Sequence, residues 1–189
     1  MALTRLGLNQ SINLATNTTG TLAVGNGGTG LASGFVNGGG LTVADQWRLT
    51  TSFTDSADPI ASNFERVDST GQGFIGSAMT ESSGIFTFPA TGIYLVRYTV
   101  MFYGSVNADT DIRFNINRTI NNSDYEQLTR GFEEVAHGAN TTGMVESYVD
   151  VTDTSNVKVR FDVGSNINLV RGSTSQNQTT MTFIRLGDT

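Results

Sequence analysis

The segment from Gly92 to Tyr103, GIYLVRYTVMFY, constrains the fold of this chain more than any other. β-Branched and aromatic side chains dominate it, which is typical of a β-strand. Arg97 is its single charged residue, so both faces of the strand are largely apolar. One face of a strand in an isolated sandwich normally meets water. Two explanations are therefore open: a central strand packed on both faces, or a strand in a subunit interface, which the run ending in Phe102 and Tyr103 favours.

Further short runs of this kind fill residues 41–189, and Gly, Asn, Asp and Ser separate them as turn formers do. No window sustains the i, i+3, i+4, i+7 spacing of apolar residues that a helix shows. About ten strands are predicted, at residues 46–54, 64–68, 85–89, 92–103, 111–120, 125–132, 142–151, 158–163, 167–171 and 179–186. Many short strands at this spacing predict an all-β fold, a two-sheet sandwich of the jelly-roll type.

Residues 1–40 differ in composition and are predicted to form an irregular N-terminal arm. They hold 10 of the 22 glycines and one charged residue, Arg5. Such a segment buries too little apolar surface to fold alone. It is either a flexible linker or an arm that becomes ordered on another protein. The second interpretation is favoured because a spacer has no use for its seven larger aliphatic residues, Leu3, Leu6, Leu8, Ile12, Leu14, Leu22 and Val24.

The titratable residues give little support to an enzyme or a metal site. The chain has no Cys and one His, His137, and no nucleophile motif accompanies it. His137 is interpreted as a loop residue rather than as a base working with Glu133 or Glu134. Asp109 and Asp111 lack the full calcium-loop spacing and are interpreted as a polar turn. No catalytic residue, cofactor or metal is therefore predicted.

Charge and hydropathy argue against two further classes of partner. The net charge is −6, from 11 Lys and Arg against 17 Asp and Glu, and the basic residues form no cluster. Nucleic-acid binding is therefore not expected. No apolar run approaches the roughly 20 residues that a membrane-spanning helix needs, so membrane insertion is not expected either.

Residues 83–103, SGIFTFPATGIYLVRYTVMFY, resemble the start of the globular head of the complement C-one-q family, whose jelly roll is shared with tumour necrosis factor. The matching pattern is an aromatic residue, five residues, Gly, any residue, Tyr and then alternating large apolar residues. Here it comprises Phe86, Gly92, Tyr94, Val96 and Tyr98. Residues 141–161 resemble a strand–turn–strand unit of the family, and 179–186 resemble its closing strand. The resemblance extends over about residues 45–187.

This resemblance implies a compact homotrimer in which one sheet of each subunit packs about the threefold axis. The residues that it places in the core or the trimer strand are Phe86, Phe88, Tyr94, Val96, Tyr98 and Phe102. Two possibilities stay open for the trimer contact: the strand face that carries Tyr94 and Tyr98, or the opposite face with Leu95 and Arg97.

The N-terminal arm resembles a different group of proteins. Its segment GTLAVGNGGTGLAS, residues 20–33, is similar to Gly-Thr-rich segments of bacteriophage fibre and appendage proteins. Together the two resemblances imply a non-enzymatic, homotrimeric phage structural protein, located in the virion. It would be a capsid decoration (cement) protein or head fibre, docked by its arm on the capsid shell or another virion component. The alternative is a tail-fibre tip that binds a host receptor or surface glycan through its loops.

Overall fold

The computed structural model describes residues 40–164 and 169–189, and in these residues the chain forms two antiparallel β-sheets that pack face to face. The strands of the described residues are β1 (Val43–Leu49), β2 (Phe53–Thr54), β3 (Phe64–Arg66), β4 (Ile75–Gly76), β5 (Thr80–Ser82), β6 (Ile85–Thr87), β7 (Gly92–Tyr103), β8 (Asp109–Thr119), β9 (Glu126–Val135), β10 (Asn140–Val151), β11 (Lys158–Gly164), β12 (Leu169–Val170) and β13 (Thr180–Gly187). The predicted all-β jelly-roll sandwich is confirmed.

Each sheet combines strands that are distant in the sequence. The front sheet has the order β2-β12-β7-β13-β1-β3, with β10 paired along the whole length of β7 and β4 paired with β1. The back sheet has the order β5-β6-β11-β8-β9. Within each sheet every pair is antiparallel, so the residues facing each other across strands follow directly from the register.

Strand β7 contributes one face to the core and the other to the outer surface of the front sheet. Alternate side chains of β7 are fully buried, and the intervening ones are half-buried. The strand begins at Gly92, where φ is +139° and where a Cβ would lie 2.4 Å from the carbonyl oxygen of Gly187. Glycine is therefore required at this turn into the strand.

The core between the sheets is rich in aromatic rings. Phe86 lies at its centre, with ring centroids 5.4 Å from Phe161 and 5.2 Å from Phe183. Tyr98 packs 5.1 Å from Phe161, and Trp47 meets Phe86 edge-on at 5.6 Å. Edge-on and tilted contacts at these distances add to the free energy gained from burying the rings themselves.

At one side of the sandwich, the ring of Phe114 packs against Gly131 and Gly143, which lie on edge strands of the two sheets. A Cβ on Gly131 in β9 would lie 2.2 Å from the Phe114 ring, and a Cβ on Gly143 in β10 would lie 2.3 Å from it. The back-sheet edge β9 and the front-sheet edge β10 approach each other here only because both positions lack a side chain.

Most predicted strands differ from the observed ones by a few residues at their ends, and three differences are larger. The predicted strand at 46–54 is interrupted: β1 ends at Leu49, and β2 occupies Phe53–Thr54. The amides of Leu49 and Thr50 still bond the carbonyl oxygens of Thr179 and Asn63 in the register of β1, and the chain leaves the sheet only at the bend that follows, at Thr51. Strand β5 lies in the segment 80–84, which was predicted as a turn, and β4 lies where no strand was predicted. The strand predicted at 167–171 is described only at Leu169–Val170, because 165–168 lie outside the described residues.

The predicted N-terminal arm, residues 1–40, lies outside the described residues except for Gly40. Its seven aliphatic residues, Leu3, Leu6, Leu8, Ile12, Leu14, Leu22 and Val24, lie outside the described residues. The division of the chain into an arm at 1–40 and a jelly roll at 41–189 stays a prediction.

Candidate self-association face

The outer surface of the front sheet carries an uninterrupted row of apolar side chains. Strand register places them side by side across five strands, in the order Tyr148, Leu95, Ile184, Ala44 and Ile75. Tyr148 is 69% exposed and Ile75 is 48% exposed. We call these five residues the apolar row. A contiguous apolar surface of this kind marks a contact with another macromolecule.

A second row of polar side chains runs beside the apolar row, one step further along each strand. It comprises Glu146, Arg97, Thr182 and Gln46, which are register partners in that order. Arg97 donates to Glu146, and Gln46 Nε2 donates to Thr182 Oγ1 at 2.9 Å. We call these four residues the polar row. The face therefore offers one apolar and one polar band in parallel.

The face continues beyond the ends of the two rows. Met144 is 56% exposed on β10, and Phe74 is 50% exposed before β4. Phe74, Ile75, Ala44 and Ile184 line an open groove of about 360 Å³. The groove extends the apolar surface past the edge of β1.

The six residues that the sequence placed in the core or the trimer strand all lie between the sheets. Phe86, Phe88, Tyr94, Val96, Tyr98 and Phe102 are each at most 2% exposed. Burial raises the pKa of the Tyr98 hydroxyl, which has no hydrogen-bond partner among the described residues. These side chains fill the core of one subunit, so only the opposite face of β7, with Leu95 and Arg97, is open to a neighbour.

The outer surface of the back sheet has a different chemistry. Asp162 is 8% exposed and accepts hydrogen bonds from the side-chain amides of Asn115 and Asn117. Arg130 Nε donates to Asn115 Oδ1 at 2.9 Å. Burial raises the pKa of the Asp162 carboxyl, although the two amide hydrogen bonds act to lower it. These groups are paired within the subunit.

One buried cation fixes the loops at the edge of the front sheet. Arg48 is 1% exposed and donates to Glu65 at 2.6 Å, to Asp68 at 2.7 Å and to Ser69 at 2.9 Å. Its guanidinium thereby ties β1 to β3 and to the residues that follow β3. A planar guanidinium with several donors is suited to this, because it satisfies several acceptors at once.

The other titratable residues considered from the sequence do not form a site together. His137 is exposed in the turn between β9 and β10, and Glu133 accepts a hydrogen bond from Thr141. Asp109 and Asp111 lie at the start of β8 rather than in a turn, and a hydrogen bond from Arg113 lowers the pKa of Asp111. Among the described residues, no three His, Cys, Asp or Glu side chains are grouped as metal ligands would be. Nor does that part of the chain contain a helix long and apolar enough to cross a bilayer.

The residues of the apolar row were not singled out from the sequence, apart from Leu95. Tyr148 and Ile184 lie in predicted strands, but the strand pairing that aligns them is not visible in the sequence. Ile75 lies in a segment where no strand was predicted. The one available signal was the alternation of Met144, Glu146 and Tyr148 along β10, opposite to the buried Val149 and Val151.

Among known proteins, similarity to this chain is found in solved structures and not in sequences. Neither a protein-family model nor a curated protein matches this sequence. Solved structures do match the two-sheet jelly roll. The Eiger TNF of S. frugiperda is similar with a TM-score of 0.59 and 13% identity, over 79% of this chain and 95% of that chain. Murine APRIL at pH 5.0 is similar with a TM-score of 0.56 and 14% identity, over 76% of this chain and 98% of that chain. The fold is therefore a jelly roll of the tumour necrosis factor type.

Proposed function

We propose that this protein is a non-enzymatic structural protein that assembles as a homotrimer through the outer face of its front sheet. The observation that carries the proposal is the apolar row, Tyr148, Leu95, Ile184, Ala44 and Ile75, which crosses five strands at the surface of one subunit. At about 25 cal/mol per Å² of apolar surface, covering such a row contributes several kcal/mol to association.

The number of three subunits comes from the resemblance of residues 83–103 to the C-one-q and tumour necrosis factor jelly rolls. The likeness to the solved structures supports the fold on which that expectation rests. In a trimer with cyclic symmetry each subunit contacts two neighbours, and the ring closes so that no further copy can be added.

We propose that the protein is located in a virion. The support is the composition of residues 1–40, with 10 of 22 glycines and a single charge, and their similarity to Gly-Thr-rich segments of phage appendages. In this proposal the arm docks on the capsid shell or another virion component, and the jelly roll projects as a decoration protein or head fibre. Three arms in one trimer act together through their high effective concentration.

Solution mass of the full chain tests the assembly. Light scattering of the wild-type protein is expected to give three times the 20.2 kDa of one chain. Leu95→Glu introduces a charge into the middle of the apolar row and is expected to yield monomers. Phe132→Glu changes a side chain that is 60% exposed on the back sheet and is the matched control, expected to stay trimeric. A monomeric wild-type chain would overturn the proposal.

Incorporation into particles tests the proposed location. Deleting residues 2–40 is expected to leave a trimer in solution and to remove the protein from purified virions. Normal incorporation of the deletion variant would refute the docking role of the arm. The copy number per particle separates a capsid protein, present in hundreds of copies, from a tail component, present in a few to tens.

A further inference from the structure

The polar row contains one ion pair in the middle of the candidate self-association face. Arg97 donates to Glu146 Oε2 from Nε at 3.0 Å and from Nη2 at 2.8 Å. Their side chains are 43% and 45% exposed in one subunit. Leu95 and Tyr148, the next outward residues on the same two strands, belong to the apolar row. Any partner that covers the apolar row therefore also takes this ion pair out of water.

The remaining residues of the polar row extend the same pattern toward the edge of the sheet. Thr182 is the register partner of Arg97 and accepts a hydrogen bond from Gln46. Asn177 Nδ2 lies 3.3 Å from Gln46 Oε1 and donates to it. The row is thus an almost continuous line of donors and acceptors that crosses four strands beside the apolar row.

The ion pair leaves part of its hydrogen-bonding capacity unused. A guanidinium has five N–H donors, and two of those on Arg97 bond Glu146. The other carboxylate oxygen of Glu146 has no hydrogen bond within the described residues. Burial of a charged group without partners costs several kcal/mol, so a purely apolar partner surface is penalised at this point.

We propose that the Arg97–Glu146 pair selects the partner of this face, accepting a second copy of this chain in one register and rejecting unrelated apolar surfaces. This inference rests on the proposed self-association. A second copy brings its own guanidinium and carboxylate, which complement the unused groups. In a ring of three copies identical residues meet only close to the axis. The pair therefore lies near the threefold axis.

Removing one member of the pair is the direct test, in the full chain. Arg97→Met and Glu146→Met each leave one unpaired charge in the contact. Each is expected to raise the dissociation constant of the assembly about tenfold or more. The double variant Arg97→Met/Glu146→Met removes both charges and is expected to associate at least as tightly as wild type. Native mass spectrometry should then detect additional stoichiometries, because the selective element is gone.

Two further variants complete the design. The charge swap Arg97→Glu/Glu146→Arg is expected to restore a single trimeric species. Arg113→Met is the matched control, because Arg113 pairs with Asp111 on the back sheet at a similar exposure of 49% and 53%. It should leave the dissociation constant unchanged. Far-UV circular dichroism checks that each variant folds. An unchanged spectrum is expected, because within one subunit the pair is exposed and contributes about 1 kcal/mol or less to folding.

The outcomes separate this inference from the proposal beneath it. If both single variants form trimers as tightly as wild type, the pair selects nothing and the inference is wrong, while the self-association proposal stands. A double variant that forms only trimers would also overturn it. If the wild-type chain is itself monomeric, the proposed function fails and the inference fails with it.

Discussion

The outer faces of the two sheets are built on the same strand geometry, yet they differ in what they need from their surroundings. On the back sheet, polar groups such as Asp162, Asn115 and Arg130 bond one another within the subunit. On the front sheet, Tyr148 and Ile75 are exposed, in an apolar row that no other described residue covers. The polar groups of the back face are paired within the subunit, whereas the front face is the one that we propose contacts a partner. The inner faces of both sheets fill a core, so the difference in function lies in the outward residues.

The largest effect is expected where the front sheet uses a buried charge. Arg48→Met removes hydrogen bonds to Glu65, Asp68 and Ser69 and is expected to lower the free energy of unfolding by about 3 kcal/mol. The matched back-sheet change is Arg160→Met. Arg160 is 25% exposed and pairs with Asp58, which is 66% exposed, so about 1 kcal/mol or less is expected. Urea unfolding measures both values, and equal losses would contradict the proposed contrast.

A smaller effect is expected from two similarly exposed aromatic side chains that lie on opposite outer faces. Tyr148 on the front sheet is 69% exposed, and Phe132 on the back sheet is 60% exposed. Tyr148→Ala is expected to weaken self-association by about 2 kcal/mol, or roughly 30-fold, because the ring belongs to the contact. Phe132→Ala should not change it. Sedimentation equilibrium of the full chain decides, and a similar response of both variants would remove the distinction between the faces.

Two glycines test how the sheets are joined, at a smaller cost again. A Cβ on Gly143 in β10 would lie 2.3 Å from the Phe114 ring, whereas a Cβ on Gly164 in β11 would lie 3.7 Å from Arg113. Gly143→Ala is expected to destabilise the fold by about 1.5 kcal/mol through overpacking. Gly164→Ala meets only an ordinary contact and should leave the melting temperature within about a degree of wild type. Tolerance of Gly143→Ala would mean that Phe114 can move away.

The sequence predicted the part of the fold that depends on local residue patterns. The bounds of β7, Gly92–Tyr103, were predicted correctly, because β-branched and aromatic side chains follow one another there with a single charge, Arg97, and Gly92 marks the start. The jelly roll followed from the number and spacing of such runs. Strands β4 and β5 were missed because two or three residues are too few to show a period of two, and hydrogen bonds to distant strands define them.

The candidate site was less accessible to the sequence because it is a property of register. Tyr148, Leu95 and Ile184 are far apart in the chain and become neighbours only through the pairing of β10, β7 and β13. The sequence did show that β7 is apolar on both faces. It did not show which face fills the core, since Tyr94 and Leu95 are both large and apolar. That choice is made by the packing of the rings of Tyr94 and Tyr98 against Phe88 and Phe161.

The smallest expected effect concerns the back face and its dependence on pH. Burial raises the pKa of Asp162 above the value of about 3.9 that an Asp has in an unfolded chain, so the folded protein holds this proton more tightly. The stability contributed by the protonated carboxyl is fully present below about pH 4 and is lost as the pH rises through the raised pKa. In Asp162→Asn this dependence is absent. The free energy of unfolding of wild type relative to Asp162→Asn should therefore fall as the pH rises across that window, as measured by urea unfolding at a series of pH values. A difference that is flat or rises with pH would show that the two amides, rather than burial, dominate the carboxylate, and that the back face is stabilised by its charge.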